Sequence, residues 1–412
     1  MTSIKLSADP SIPRGRRKAG DNIHDGRGRL VVAPPILQYG FRPFFFLAAL
    51  HAGVVIPVWV WLFFTGEAVS GPFTPVGWHV HEMLFGYLFA VLAGFILTAI
   101  PNWTGRLPLS GWPLAGLVFL WLAGRLACAF LAHPVAAMAV DLACPAALAL
   151  AVWREVVAGR NWKNAPVAVL LTLFGVANAL DHAGNLDIVQ DGLGSRLALA
   201  VIAVLIALIG GRIVPSFTRN WLAKRRVTSL PASFGLIDKA ALLTTIVALA
   251  AWVVIPASLS AGLLLCLAAA LLAVRLARWR GHLTVREPIL LILHIGYGWL
   301  ALALFMLGGS AWYDETPVSA ALHALTTGAI GTMTLAVMTR ASLGHTGRAI
   351  TADGWTIAAY LLVNAGAVFR VAAPLTGEWY PHLLACGGAF WSAAFLVFAV
   401  RYVPILWGPR AA

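Results

Sequence analysis

Long apolar runs follow one another from Phe44 to Val403 with short polar interruptions, and none of them alternates residue by residue. A helix needs roughly 20 apolar residues to cross a hydrocarbon core of about 30 Å, whereas a membrane strand alternates with a period of two. The pattern therefore predicts an all-α, polytopic membrane helix bundle and excludes a membrane β-barrel. Twelve spans are expected near 43–65, 77–100, 112–131, 133–154, 165–183, 196–216, 235–256, 260–280, 287–308, 317–340, 354–375 and 379–403. A basic tail (1–42) precedes this membrane domain (43–403), and a short tail (404–412) follows it.

Composition agrees, since 60% of the 412 residues are hydrophobic and only 11% are charged, too little polar surface for a soluble protein of this size. Charge adds the topology. Cytoplasmic loops retain Lys and Arg, and translocated loops do not. The even-numbered connections carry Arg106, then Arg160 and Lys163, Arg219, Lys224, Arg225, Arg226 and Lys239, Arg278, Arg280 and Arg286, and Arg348. The odd-numbered ones carry Glu67, Asp187, Asp191, Asp314, Glu315 and Glu378, with Arg196 as an exception at a span edge. Both termini are thus expected in the cytoplasm of a bacterial inner-membrane protein. The net charge of +13 follows this loop pattern, which argues against a nucleic-acid partner and leaves membrane lipid as the surrounding phase. The first 42 residues hold eight basic and three acidic side chains and no apolar signal-peptide core.

A spacing repeats between distant spans. His81 is followed by Gly86 and Thr104-Gly105-Arg106, and His323 by Gly328 and Thr346-Gly347-Arg348, with the same separations. His51-Ala52-Gly53 precedes the first and His294-Ile295-Gly296 the second. The copies run in the same direction and would be parallel repeats. A weaker echo, His182-Ala183-Gly184 followed by Gly210-Gly211-Arg212, suggests three modules of four helices.

Ionisable groups inside a bilayer are costly, so each one asks for a reason. Depth sorts the histidines. His81, His323, His182 and His382 fall in the outer third, whereas His51 and His294 lie about 14 residues, or roughly 21 Å, from their outer span ends. Equal depth on two helices is what axial ligation of one haem requires. Imidazole also binds copper, and a buried site favours its neutral, ligating form. The plainer reading is that such histidines bridge backbone carbonyls or relay protons. Within Trp78-His79-Val80-His81-Glu82-Met83, residues two apart on a regular helix point about 200° apart, so His79 and His81 face different centres and His79 is better placed for Glu82. Arg125 and Asp141 sit symmetrically about the turn near His133 and can meet as an ion pair. Arg370 has no evident partner and could take Glu82 or a haem propionate. Asn178 and Asn364 read as helix-packing residues, and so do Cys128, Cys144, Cys266 and Cys386, which form no Cys-x-x-Cys pair.

The segments Gly40-Phe41-Arg42-Pro43-Phe44, Trp78-His79-Val80-His81-Glu82-Met83-Leu84-Phe85-Gly86, Pro101-Asn102-Trp103-Thr104-Gly105-Arg106, Gly211-Arg212-Ile213-Val214-Pro215 and His323 through Met338-Thr339-Arg340 to His345-Thr346-Gly347-Arg348 resemble the NnrS family. That resemblance covers most of the chain. It implies a bacterial membrane protein with haem and copper, linked to nitric oxide and denitrification. The leading reading places haem on His51 and His294 with Arg370 at its edge, a second metal on His79, His81, His182 and His323, and Glu82 as the catalytic proton donor in nitric oxide reduction. Electrons would come from quinol or a redox protein, because no Cys-x-x-Cys-His haem attachment site is present. The alternatives are a metal- or proton-coupled transporter and a protein that binds nitric oxide without turnover.

Overall fold

The computed structural model describes residues 23–24, 30–31, 33–104, 107–313 and 317–411. Arg106, Asp314 and Glu315, on which part of the charge pattern rests, lie outside them, as does most of the 1–42 tail. Apart from a two-residue strand pair, Ile23–His24 with Leu30–Val31, the regular structure is helical. Among the described residues, twelve helices are long and apolar enough to cross a membrane: Phe41–Thr65, Pro75–Pro101, Trp112–Phe130, Pro134–Ala158, Trp162–Asn185, Leu193–Lys224, Leu236–Val254, Leu259–Ala277, Pro288–Gly309, Val318–His345, Gly354–Leu375 and Gly377–Leu406. They are numbered here as spans 1 to 12, and the chain is a multi-pass membrane protein. The end carrying Glu67, Asp187, Asp191 and Glu378 is termed the acidic end, and the opposite one the basic end.

Spans begin where the sequence supplies caps. The Thr74 hydroxyl accepts from Gly77 N–H with Pro75 at the first helical position, and Ser258 and Asp353 accept from Ala261 and Thr356 in the same way. Spans 6 and 10 run past their expected ends at 216 and 340 to Lys224 and His345. Hydropathy stops there because the sequence turns polar, but the helices continue as amphipathic extensions packed on each other. The Arg340 guanidinium lies 3.8 Å from the Phe217 ring centroid, and the buried Thr218 and Leu222 face inward.

Spans 2 and 10 are the most buried of the twelve, at 83% and 72%, which makes them core helices wrapped by the others. Together with span 6 they line one apolar cavity through Leu88, Phe95, Ile202, Ile209, Met333 and Val337. Span 12 packs on span 1 and closes the outer ring. Each of these three inner helices changes from α to π and back, over Glu82–Leu88, Ile206–Gly210 and Ala324–Gly331. In spans 2 and 10 the π segment starts immediately after His81 and His323, and in span 6 after Leu205. The expected repeat thus has a backbone counterpart in all three groups of four, with leucine where the other two carry histidine.

A π turn disturbs the usual carbonyl pairing, and freed carbonyls in a bilayer need other donors. Span 3 supplies one through Trp121 Nε1, 3.0 Å from the Gly86 carbonyl. Span 8 supplies another through Arg275 Nη1, 2.8 Å from the Ala207 carbonyl, with Asp238 pairing the same guanidinium. Span 10 uses its own threonines, with Thr327 donating to the His323 carbonyl and Thr334 to that of Ile330.

Candidate metal centre

Spans 2 to 5 bring four potential ligands together at the acidic half of the bundle. One ligand atom from each of His81, Cys128, Asp141 and His182 lies within 4.8 Å of all the others, and all four residues are buried. His81 opens the π segment of span 2 and Cys128 lies near the end of span 3, while Asp141 and His182 project from spans 4 and 5. Asp141 Oδ2 is the common point: His81 Nε2 is 3.1 Å away, His182 Nε2 3.2 Å, and the Asn178 amide donates to it at 2.9 Å. Cys128 Sγ lies 3.5 Å from His81 Nε2.

Both ring nitrogens of His81 face carboxylates, Nδ1 at 2.9 Å from Asp181 Oδ2 and Nε2 at 3.1 Å from Asp141 Oδ2, and a neutral imidazole can donate to only one of them, which leaves a lone pair aimed at the other. Lone pair facing carboxylate is repulsive unless a cation or proton sits between them. A carboxylate holding the far nitrogen of an imidazole is also the arrangement that orients histidine ligands in metal sites.

The cluster continues into the bundle. Arg125 pairs with Asp141 through Nη2 and, through Nη1, lies 2.9 Å from Glu82 Oε1. Glu82 Oε2 lies 2.9 Å from His51 Nε2, and Trp121 packs edge-on against the His51 ring. Glu82, Asp141 and Asp181 set three carboxylates against one guanidinium, so the network needs further positive charge, from a divalent ion or from protonated imidazoles.

Gly86 makes this packing possible. A methyl there would come within 2.5 Å of His51 Nε2 and 2.8 Å of Glu82 Oε2. In the second copy Gly328 faces the Trp299 indole instead, where a methyl would meet ring atoms at 2.6 Å. Trp299 Nε1 in turn donates to Asn364.

The candidate residues from the sequence separate into several places. His81 and His182 share one centre, whereas His79 stacks on Trp59 with ring centroids 4.1 Å apart. His79, His323 and Arg370 lie within electrostatic reach of one another. His51 and His294 do not meet: His51 lies against Glu82 and Trp121, while His294 bonds Thr218 at 2.9 Å and backs onto Gly281 near the basic end. Glu82 turns to His51 and Arg125 rather than to His79, and Arg370 does not reach it. His382 is exposed. The expected Arg125–Asp141 pair is present.

Cys128, Asp181 and Asn178 were not among the sequence candidates. A signal existed for two of them, since Asn178, Asp181 and His182 fall at i, i+3 and i+4 and share a helix face. Cys128 gave none, because a lone cysteine in an apolar span resembles any small packing residue. No curated protein matches the chain. The family model described as NnrS protein matches residues 35–410, nearly the full length, and the chain therefore belongs to the NnrS family.

Proposed function

We propose that this chain is a metalloprotein of the bacterial cytoplasmic membrane that handles nitric oxide at a copper ion held by His81, Cys128, Asp141 and His182. The observation that carries this reading is the convergence of four buried donor atoms within 4.8 Å. Two imidazoles and a thiol form a donor set suited to copper, and Asp181 and Asn178 fix His81 and Asp141 from behind. Copper would supply a redox-active binding position. Glu82, next to His81 in sequence and tied to His51 and Arg125, is the carboxylate proposed to move protons toward it. Quinol or a redox protein would supply the electrons, and both termini would face the cytoplasm.

The continuous chain of His51, Glu82, Arg125, Asp141 and His81 supports a second reading, in which protons rather than a metal supply the missing positive charge and the protein couples transport to them. Metal analysis of the full-length protein purified from copper-supplied cells separates the two. The first reading expects about one copper per chain, lost in Cys128→Ser and His182→Ala, and faster nitric oxide removal at an electrode when a reductant is present. A protein purified without metal, or a copper-loaded protein that neither binds nor removes nitric oxide, defeats it. A reporter fused after Arg410 that is active only outside the cytoplasm defeats the topology.

A further inference from the structure

We propose that the apolar cavity enclosed by spans 2, 6 and 10 is a binding site for a small uncharged diatomic gas, held near the copper centre as a store of substrate. The choice of nitric oxide as that gas rests on the reading given above. The site itself does not, and xenon can test it without any metal.

Size and lining define the occupant. The cavity measures about 100 Å³ and is walled by Leu88, Val91, Ile202, Ile206, Met333 and Val337 among other apolar side chains. Of the lining residues only Thr334 carries a polar side chain, and its hydroxyl is already used. It donates to the Ile330 carbonyl at 2.7 Å and meets the Tyr87 hydroxyl at 2.5 Å. A buried water needs about two to four polar partners, so this space holds water poorly. Apolar cavities on the order of 150 Å³ stay dry and take up xenon or one small aromatic molecule. The room here is smaller and suits a molecule of a few atoms.

The backbone supplies the independent observation, because it explains why the space exists. Protein interiors are normally packed too closely to leave such a void. In span 6 the wall is the π segment itself, through Ile206, Ile209 and Gly210, and in span 2 it begins at Leu88, the last residue of that helix's π segment. A π turn shifts every side chain that follows it, which spoils close packing against neighbours, and such turns recur at functional sites. In span 2 the turn follows His81, a proposed ligand, but in span 6 it follows Leu205, which itself lines the cavity. Span 6 thus keeps the irregularity with no histidine to place, and the cavity is what it shapes. The Ala207 carbonyl within that turn is taken by Arg275 Nη1 at 2.8 Å.

Position gives the stored gas a destination. Leu88 is seven residues from His81 on one helix, or about 10 Å. Between them in sequence, the buried Phe85 sets its ring 5.1 Å from that of His81. A gas leaving the cavity along span 2 meets apolar side chains as far as the edge of the metal cluster.

The test is the thermal unfolding of full-length purified protein under xenon and under helium at equal pressure. Wild type is expected to gain about 1–2 °C in xenon, by mass action on the folded state. Val91→Phe and Val337→Phe, which fill the space from two different helices, should abolish that gain. Ile213→Ala, which enlarges it, should increase the gain and decides the matter if the filled variants do not fold. No gain in wild type, as when a lipid chain already occupies the space, overturns the site, and so does an equal gain in every variant, as uptake elsewhere would give. In copper-loaded protein, Val337→Phe should remove dilute nitric oxide about three-fold more slowly than wild type, with copper content unchanged. An unchanged rate overturns the storage role. Wild type that removes no nitric oxide defeats the earlier reading, and the xenon result still decides the cavity.

Discussion

The two copies of the His-x-x-x-x-Gly motif share a backbone and differ in almost everything around it. After His81 and after His323 the helix widens into a π segment, and a glycine five residues on admits a large neighbour. Around His81 that neighbour is a charged network of Glu82, Arg125, Asp141 and Asp181, whereas around His323 it is the Trp299 indole, and the nearby charge is Arg370, which has no carboxylate partner among the described residues. A repeat can thus keep its backbone irregularity while the side chains that use it diverge. One copy attracts positive charge and the other attracts negative charge.

Replacing the two arginines tests that difference most severely. Arg125→Leu leaves Glu82 and Asp141 buried without their guanidinium, and the loss is expected to be about 3–5 kcal/mol, seen as failure to accumulate or as early unfolding in detergent. Arg370→Leu removes a cation with no carboxylate partner among the described residues, so the ligand-free chain should be equally stable or more so by the same assay. Similar losses in both variants would erase the contrast.

The glycines come next. Gly86→Ala and Gly328→Ala both overpack, at an expected cost of about 1–3 kcal/mol each by chemical denaturation. Only Gly86→Ala should also lower metal content, because only its new methyl presses on His51 and Glu82. Asn178→Ala removes the amide that donates to Asp141, and a stability loss of about 1–2 kcal/mol with weaker metal retention is expected. The copies are joined by Tyr87 and Thr334, whose hydroxyls are 2.5 Å apart, and Tyr87→Phe should cost about 1 kcal/mol without changing either site.

The smallest effect belongs to a control at the rim. The Asp353 carboxylate lies 2.5 Å from Arg401 Nε, with both side chains more than a third exposed. Burial alone would raise its pKa, but hydrogen bonds from Thr356 and Arg401 outweigh that and hold it below the usual carboxylate range. A folded-state pKa below the unfolded one gives stability at neutral pH that fades as acid protonates the group. Asp353→Asn should therefore cost under about 1 kcal/mol at pH 7, and the difference from wild type should shrink on acidification.

Much of this was legible in the sequence for definite reasons. Hydropathy reports depth, so all twelve spans could be read, and the largest departures at their ends come where spans 6 and 10 continue as polar helices. Helical angle separates His79 from His81, and the two lie in different surroundings, although the metal assignment from the sequence had put both on one ion. The symmetric placement of Arg125 and Asp141 about a tight turn was enough to pair them. Depth does not report azimuth, however. His51 and His294 are about equally far by residue count from their outer span ends, yet they pack against different neighbours, and no property of either helix alone says which way its histidine points. Glu82 was singled out but paired with His79 instead of His51 and Arg125 for a related reason, since the π segment that begins there alters the angular step on which the i, i+3 argument depends.

The small cavity between spans 2, 6 and 10 also bears on how the protein lives in an energised membrane. It measures about 100 Å³, and of the residues that line it only Thr334 carries a polar side chain. An ion entering it would exchange its hydration shell for hydrocarbon-like walls, at a cost of several kcal/mol. A small uncharged gas would pay no such cost. The walls of that cavity therefore receive a small apolar solute more readily than an ion.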